Sequence, residues 1–200
     1  MRFDRFTIRG QEAVQEAIGS AEKNQNQQVE PEHLLASMLE QKEGTLRPIL
    51  GKVGANAGAI LTDVQAAIAK FPKVSGGQQY FSSRTNTIFQ AAQKEAERME
   101  DEYVSTEHLL LAIADEKEGD AGRILRSNGI TRDDLEKVVT EFFIENRPDV
   151  LVAGCKAQGF DGLQAQLTAQ AQQNLQTKAA ILRAPPEPIS SSESLPTSLR

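Results

Sequence analysis

Apolar and polar positions alternate at helical spacing along the first 146 residues, and they do so in two similar passes. Ala13, Ala17 and Ala21 fall on one face at four-residue spacing, as do Ile88, Ala92 and Ala96. Both stretches predict a helix whose small residues let a neighbour approach closely. The first would open near Thr7 and the second near Ser82, both good N-caps. A second helix is expected from Glu30-Pro31-Glu32, since proline at a first helical position has no intrahelical partner to lose. Its counterpart opens at Ser105-Thr106-Glu107. Short third helices are expected over about 45–53 and 121–128, each followed by a glycine, Gly54 or Gly129, suited to a left-handed C-terminal cap. Fourth helices are expected over about 57–69 and 132–145, with Thr131 and Asp134 close to a capping box.

The two passes are copies. A shift of 75 carries Phe6 onto Phe81, Arg9 onto Arg84, Ala21-Glu22 onto Ala96-Glu97 and Val29 onto Val104. The same shift carries Glu32-His33-Leu34-Leu35 onto Glu107-His108-Leu109-Leu110, and Gly54 onto Gly129. One register held without a gap is not a chance pattern, and two copies are too few for a solenoid. The expected fold is therefore all-α: eight helices in two four-helix repeats, about 6–70 and 81–145, related by a pseudo-twofold axis. Residues 71–81 join them, and Pro72, Gly76 and Gly77 break any helix there. Residues 1–146 form the domain. Beyond Pro148 the chain turns rich in Gln and Ala, then in Pro and Ser, which reads as a weakly structured to disordered tail over 147–200.

Composition narrows the function. The formal charge is −6, and residues 149–200 carry four acids and four bases, so the acid excess lies in the repeats. An acidic domain repels phosphate backbones, which argues against nucleic acid as a partner. The apolar runs are short, which argues against a membrane span, and the charged start does not read as a secretory signal. The single cysteine, Cys155, fits a reducing compartment. The expectation is a cytoplasmic protein.

Little in the sequence points to catalysis. No G-x-x-x-x-G-K-[ST] occurs to cradle nucleotide phosphates, and no nucleophile–base pair stands out. We expect neither an enzyme nor a cofactor. The only histidines, His33 and His108, each follow a glutamate, but their spacing is not that of a metal motif, and helix packing is the better reading. Glu32 and Glu107 sit in first helical turns, where an acid favours the dipole.

Phe6-Thr7, the run Glu30-Pro31-Glu32-His33-Leu34-Leu35, Pro72-Lys73-Val74-Ser75-Gly76-Gly77 and the run from Asp101 to His108 together resemble the Clp amino-terminal repeat domain, nearest its ClpB branch. The resemblance covers residues 1 to about 146. Residues 150–200 do not look like the family's linker, and a fusion, a divergent end, a frameshift or a truncation are all open. The resemblance implies non-covalent capture of unfolded or aggregated client proteins, or of an adaptor, for an AAA+ Clp chaperone. Capture would use an apolar groove between the halves, rimmed by acids. Thr7, Asp101 and Glu107 resemble the family's substrate-binding positions; for Asp101 alone, the residues would otherwise suggest a loop-surface acid. The ClpC branch implies a second reading, phosphoarginine recognition, possible here through Thr106 and Glu107. Glu32 fits that pattern less well, because Pro31 offers neither hydroxyl nor N–H.

Overall fold

The computed structural model describes residues 3–74 and 77–146. Residues 1–146 form one compact unit, and the expected tail over 147–200 lies outside the described residues. A short 3-10 turn, Phe3–Arg5, leads into α1 (Ile8–Lys23), β1 (Gln28–Val29), α2 (Pro31–Glu40), α3 (Leu46–Val53) and α4 (Ala57–Ile68). Then come β2 (Tyr80–Phe81), α5 (Ser83–Arg98), α6 (Thr106–Ala114), α7 (Asp120–Ser127) and α8 (Arg132–Asn146).

The duplication survives at the level of single dihedrals. Gly54 and Gly129 have φ of 88° and 76°, the left-handed caps that the sequence predicts. Gln25 and Glu100, also 75 apart, are the two non-glycine residues with positive φ among the described residues, at 61° and 58°. Thr7 Oγ1 accepts from Gly10 N at 3.1 Å, and Ser82 Oγ from Thr85 N at 3.1 Å, so both first helices are capped as expected. Thr131 Oγ1 likewise accepts from Asp134 N at 3.2 Å.

The halves interlock rather than abut. Within each half the first helix packs on the second, α1 on α2 and α5 on α6. Across the halves α3 packs on α8 and α4 on α7, so the third helix of one copy pairs with the fourth of the other. The second helices are central: every residue of α2 from Pro31 to Leu39 is buried, and so is all of α6. One continuous apolar core runs from Phe6 to Val139.

Two junctions add backbone bonds between the copies. β1 and β2 pair in parallel, Val29 opposite Phe81, and Ser82 N donates to Val29 O at 3.2 Å. The twin is a bridge of Phe6 to Val104, with Thr7 N donating to Val104 O at 2.9 Å. The start of each repeat thus pairs with the loop before the second helix of the other. The sequence analysis does not anticipate these pairings, because one or two residues are too short to show an alternating pattern. The helical fold class stands, with this small strand pair added.

Candidate functional site

Two loops, 24–30 and 99–105, each lead into a second helix; Asp101 lies in the second loop, Glu32, Thr106 and Glu107 in the helical turns that follow, and Thr7 at the start of α1. In both, the histidine three residues on from the N-cap turns back on the loop. His33 Nδ1 accepts from Glu30 N and His108 Nδ1 from Ser105 N, each at 3.0 Å. The protonated Nε2 of His33 lies 3.1 Å from Asn26 Oδ1, and Nε2 of His108 lies 3.3 Å from Asp101 Oδ2. Both rings are fully buried. Burial pushes the His33 pKa below its ordinary value, against the opposing pull of Glu32. With both nitrogens engaged within the loop, the histidines are structural, as helix packing requires.

Asp101 therefore is not a loop-surface acid. Its side chain is 13% exposed and faces His108, in the place that Asn26 takes against His33. Glu107 is also sunk, at 6% exposure. Thr106 Oγ1 donates to Glu107 Oε2 at 3.1 Å and lies 3.1 Å from Thr45 Oγ1. Glu107 thus ends a short hydroxyl chain spanning the halves. At the end of α2, Gln41 is buried, its Nε2 donates to Arg9 O, and its Oε1 has no hydrogen-bond partner among the described residues. Thr7 does meet the 101–107 segment, through the bond from its N–H to Val104 O. Gly10 permits this approach, since a Cβ there would stand 3.2 Å from Val104 O. Thr7 thus meets Val104, between Asp101 on one side in the chain and Thr106 and Glu107 on the other, and the last two are buried rather than an exposed rim.

Glu32 is elsewhere. Its Oε1 accepts from Arg84 Nη2 at 2.8 Å and from Ala121 N at 2.9 Å, so it caps α7 of the other half. It is fully buried and already grips a guanidinium, that of its own chain.

Sequence reasoning missed the exposed apolar side chains at the junction. Ile8, next to Thr7, is 77% exposed, and Tyr103, next to Val104, is 47% exposed. Each sits at a position whose copy is polar, Ser83 and Gln28, and that contrast within the repeat was the available signal. A second apolar stretch borders a hollow of about 170 Å³ lined by Asn26, Gln28, Phe71, Pro72, Val74 and Tyr80. A larger hollow, about 630 Å³, lies among α1, α2 and α4. Neither is lined by Thr7, Asp101 or Glu107. Among the described residues no helix is long and apolar enough to cross a membrane.

Comparison with known proteins agrees with this architecture. The family described as the Clp repeat (R) N-terminal domain matches residues 5–128. The chain is 39% identical over 141 residues to the chaperone protein ClpB of Porphyromonas gingivalis, covering 70% of this chain and 16% of that protein. For the ClpB of Bacteroides thetaiotaomicron the identity is 37% over 141 residues, with the same coverage, 70% and 16%. The chain thus spans about one sixth of the length of these relatives (16%). Among solved structures, the Hsp104 N-terminal domain from Candida albicans is similar at a TM-score of 0.61 and 21% identity, covering 68% of this chain and 90% of that one. The N-terminal domain of the ClpV1 ATPase from E. coli is similar at 0.59 and 19%, covering 68% and 84%. The chain belongs to the Clp repeat N-terminal domain family.

Proposed function

We propose that this domain captures protein segments non-covalently at the junction of Thr7 with the 101–107 loop, as the substrate- or adaptor-binding module of a ClpB-type chaperone. The observation that supports it is the exposure of Ile8 and Tyr103, the chain neighbours of Thr7 and Val104, which are joined by a backbone bond. Exposed apolar side chains are what an unfolded segment seeks. Thr7, Asp101 and Glu107 support the segments that carry that surface, Thr7 by capping α1, Asp101 by holding His108, and Glu107 by holding Thr106. The clients are unfolded or aggregated chains.

The test is binding of a fluorescent peptide rich in basic and apolar residues. Burying an isoleucine and a tyrosine is worth about 1.5–3 kcal/mol each, and 1.4 kcal/mol is about tenfold in affinity. Ile8→Ser with Tyr103→Ser should weaken binding by about tenfold or more with an unchanged melting temperature. Val74→Ser with Tyr80→Ser should leave it intact. Equal losses from both pairs would remove the junction from the account.

A second reading is favoured by one observation. The carboxylate of Glu107 accepts from the hydroxyl of Thr106, which in turn meets that of Thr45, so an acid and two hydroxyls stand together. Such a grouping suits a guanidinium group, as in phosphoarginine. Competition by free phosphoarginine, abolished by Glu107→Gln, would favour it over apolar capture.

A further inference from the structure

Asn128 caps the C-terminus of α7, and its side chain reaches the other half. Its Nδ2 donates to Ile124 O at 3.0 Å and to Oδ2 of Asp63, on α4, at 3.2 Å. The next residue is Gly129, exposed and held at a φ of 76°. Asn128-Gly129 is the sole Asn-Gly pair in the chain. Asparagine is among the thermally labile residues. A glycine after it leaves the following backbone nitrogen free of any Cβ that would hinder its approach to the side-chain amide.

The repeat shows that the cap does not call for this asparagine. A shift of 75 places Val53 on Asn128 and Gly54 on Gly129, and Gly54 makes the same left-handed turn after a valine. The same shift places Asp63 on Val138. Val53 and Val138 are partly buried against the core, on α3 and α8. Two apolar positions at the α3–α8 contact are therefore a polar pair at the α4–α7 contact. In the folded chain the reactive atoms are kept apart. Gly129 N donates to Arg126 O and Ile130 N to Leu125 O, each at 3.0 Å, which fixes the cap. The Asn128 amide is drawn back along α7 by Ile124 O, and its ψ of 17° keeps Gly129 N turned from Cγ. Ring closure requires the cap to open locally.

We propose that Asn128 is a site of spontaneous deamidation, slowed by the α7 cap, whose products weaken the α4–α7 contact. Gly129 N gives its proton to solvent base and bonds to Asn128 Cγ. The Cγ–Nδ2 bond breaks, and Nδ2 takes a proton from water and leaves as ammonia. Water then opens the resulting cyclic imide. Attack at the Cγ carbonyl gives aspartate, and attack at the backbone carbonyl gives isoaspartate. Either product replaces a donor with a carboxylate facing Asp63. Isoaspartate also lengthens the main chain by a methylene inside the cap, between bonds whose spacing suits the ordinary chain.

The test ages the whole chain at mildly alkaline pH, natively and in urea, and follows the tryptic peptide of residues 127–132 by mass spectrometry. Conversion of amide to acid should appear in both samples over weeks. It should be slower natively by about tenfold or more, because a packed cap opens rarely. The aged native chain should melt lower than the fresh chain, in proportion to conversion. Asn128→Asp reproduces the aspartate product alone and should lower the melting temperature by about 1–3 °C, as befits an exposed pair of like charges. Adding Asp63→Asn should restore it. Asn128→Gln, which closes the imide far less readily, should melt alike fresh and aged. Equal rates natively and in urea would show that the cap does not guard the site. No native conversion over that time, or an equal loss on ageing in Asn128→Gln, would likewise overturn the proposal.

Discussion

His33 and His108 carry the most testable chemistry at the scale of the residue. Their burial and their place in the helix were legible, because duplication put each at the third position of an apolar helix. Their partners were not, since Asn26 and Asp101 lie seven residues upstream, each directly after a residue of positive φ, Gln25 or Glu100. The pH dependence follows from His33. Its folded pKa lies below the ordinary 6.5, so below that pH the unfolded chain binds more protons than the folded one. Stability should fall as pH drops from about 7 toward 5, and His33→Gln should flatten that slope in a series of melting curves. An unchanged slope would assign the loss to other groups. Asn26 serves twice, to His33 Nε2 and, through Nδ2, to Pro72 O at 3.1 Å. Asn26→Ala should cost about 1–3 kcal/mol in denaturant unfolding, because buried groups lose their partners.

Among the elements, helix starts and stops were the legible part. Thr7, Ser82, Pro31, Gly54 and Gly129 each carry their own local signal, and each acts as the sequence suggests. The strand pairings were hidden because they join residues some 50–100 positions apart with no periodic signature. Glu32 stands in the first turn of α2 as expected, but it also serves the N-terminus of α7 in the other repeat, which no local pattern reveals. Two glycines of α1 separate local propensity from packing. A Cβ at Gly19 would meet nothing within 4 Å, so Gly19→Ala should stabilise by about 0.5–1 kcal/mol. A Cβ at Gly10 would press on Val104 O, a backbone atom fixed by the bond from Thr7 N, and Gly10→Ala should destabilise by about 1–3 kcal/mol. If both substitutions stabilise, the junction is looser than the geometry indicates.

For the molecule as a whole, the exchange of third and fourth helices makes the domain one cooperative unit. A fragment of residues 1–74 would bare the faces of α3 and α4 that meet α8 and α7, and the side of α2 that meets α6. It should therefore show no cooperative thermal transition near that of the full chain; a matching transition by calorimetry would mean that the repeats fold separately. The duplicated halves are alike in backbone and unlike in surface. Ile8 and Tyr103 mark one junction, whereas Ser83 and Gln28 stand at the other, and under the proposed function this difference gives the domain its binding face. That claim is tested most directly by amide chemical-shift mapping, titrating the labelled chain with an unfolded peptide of basic and apolar residues. The shifts should gather on residues 5–10 and 101–107. Shifts gathered instead on the hollow at 71–80, with 5–10 and 101–107 unmoved, would contradict the account.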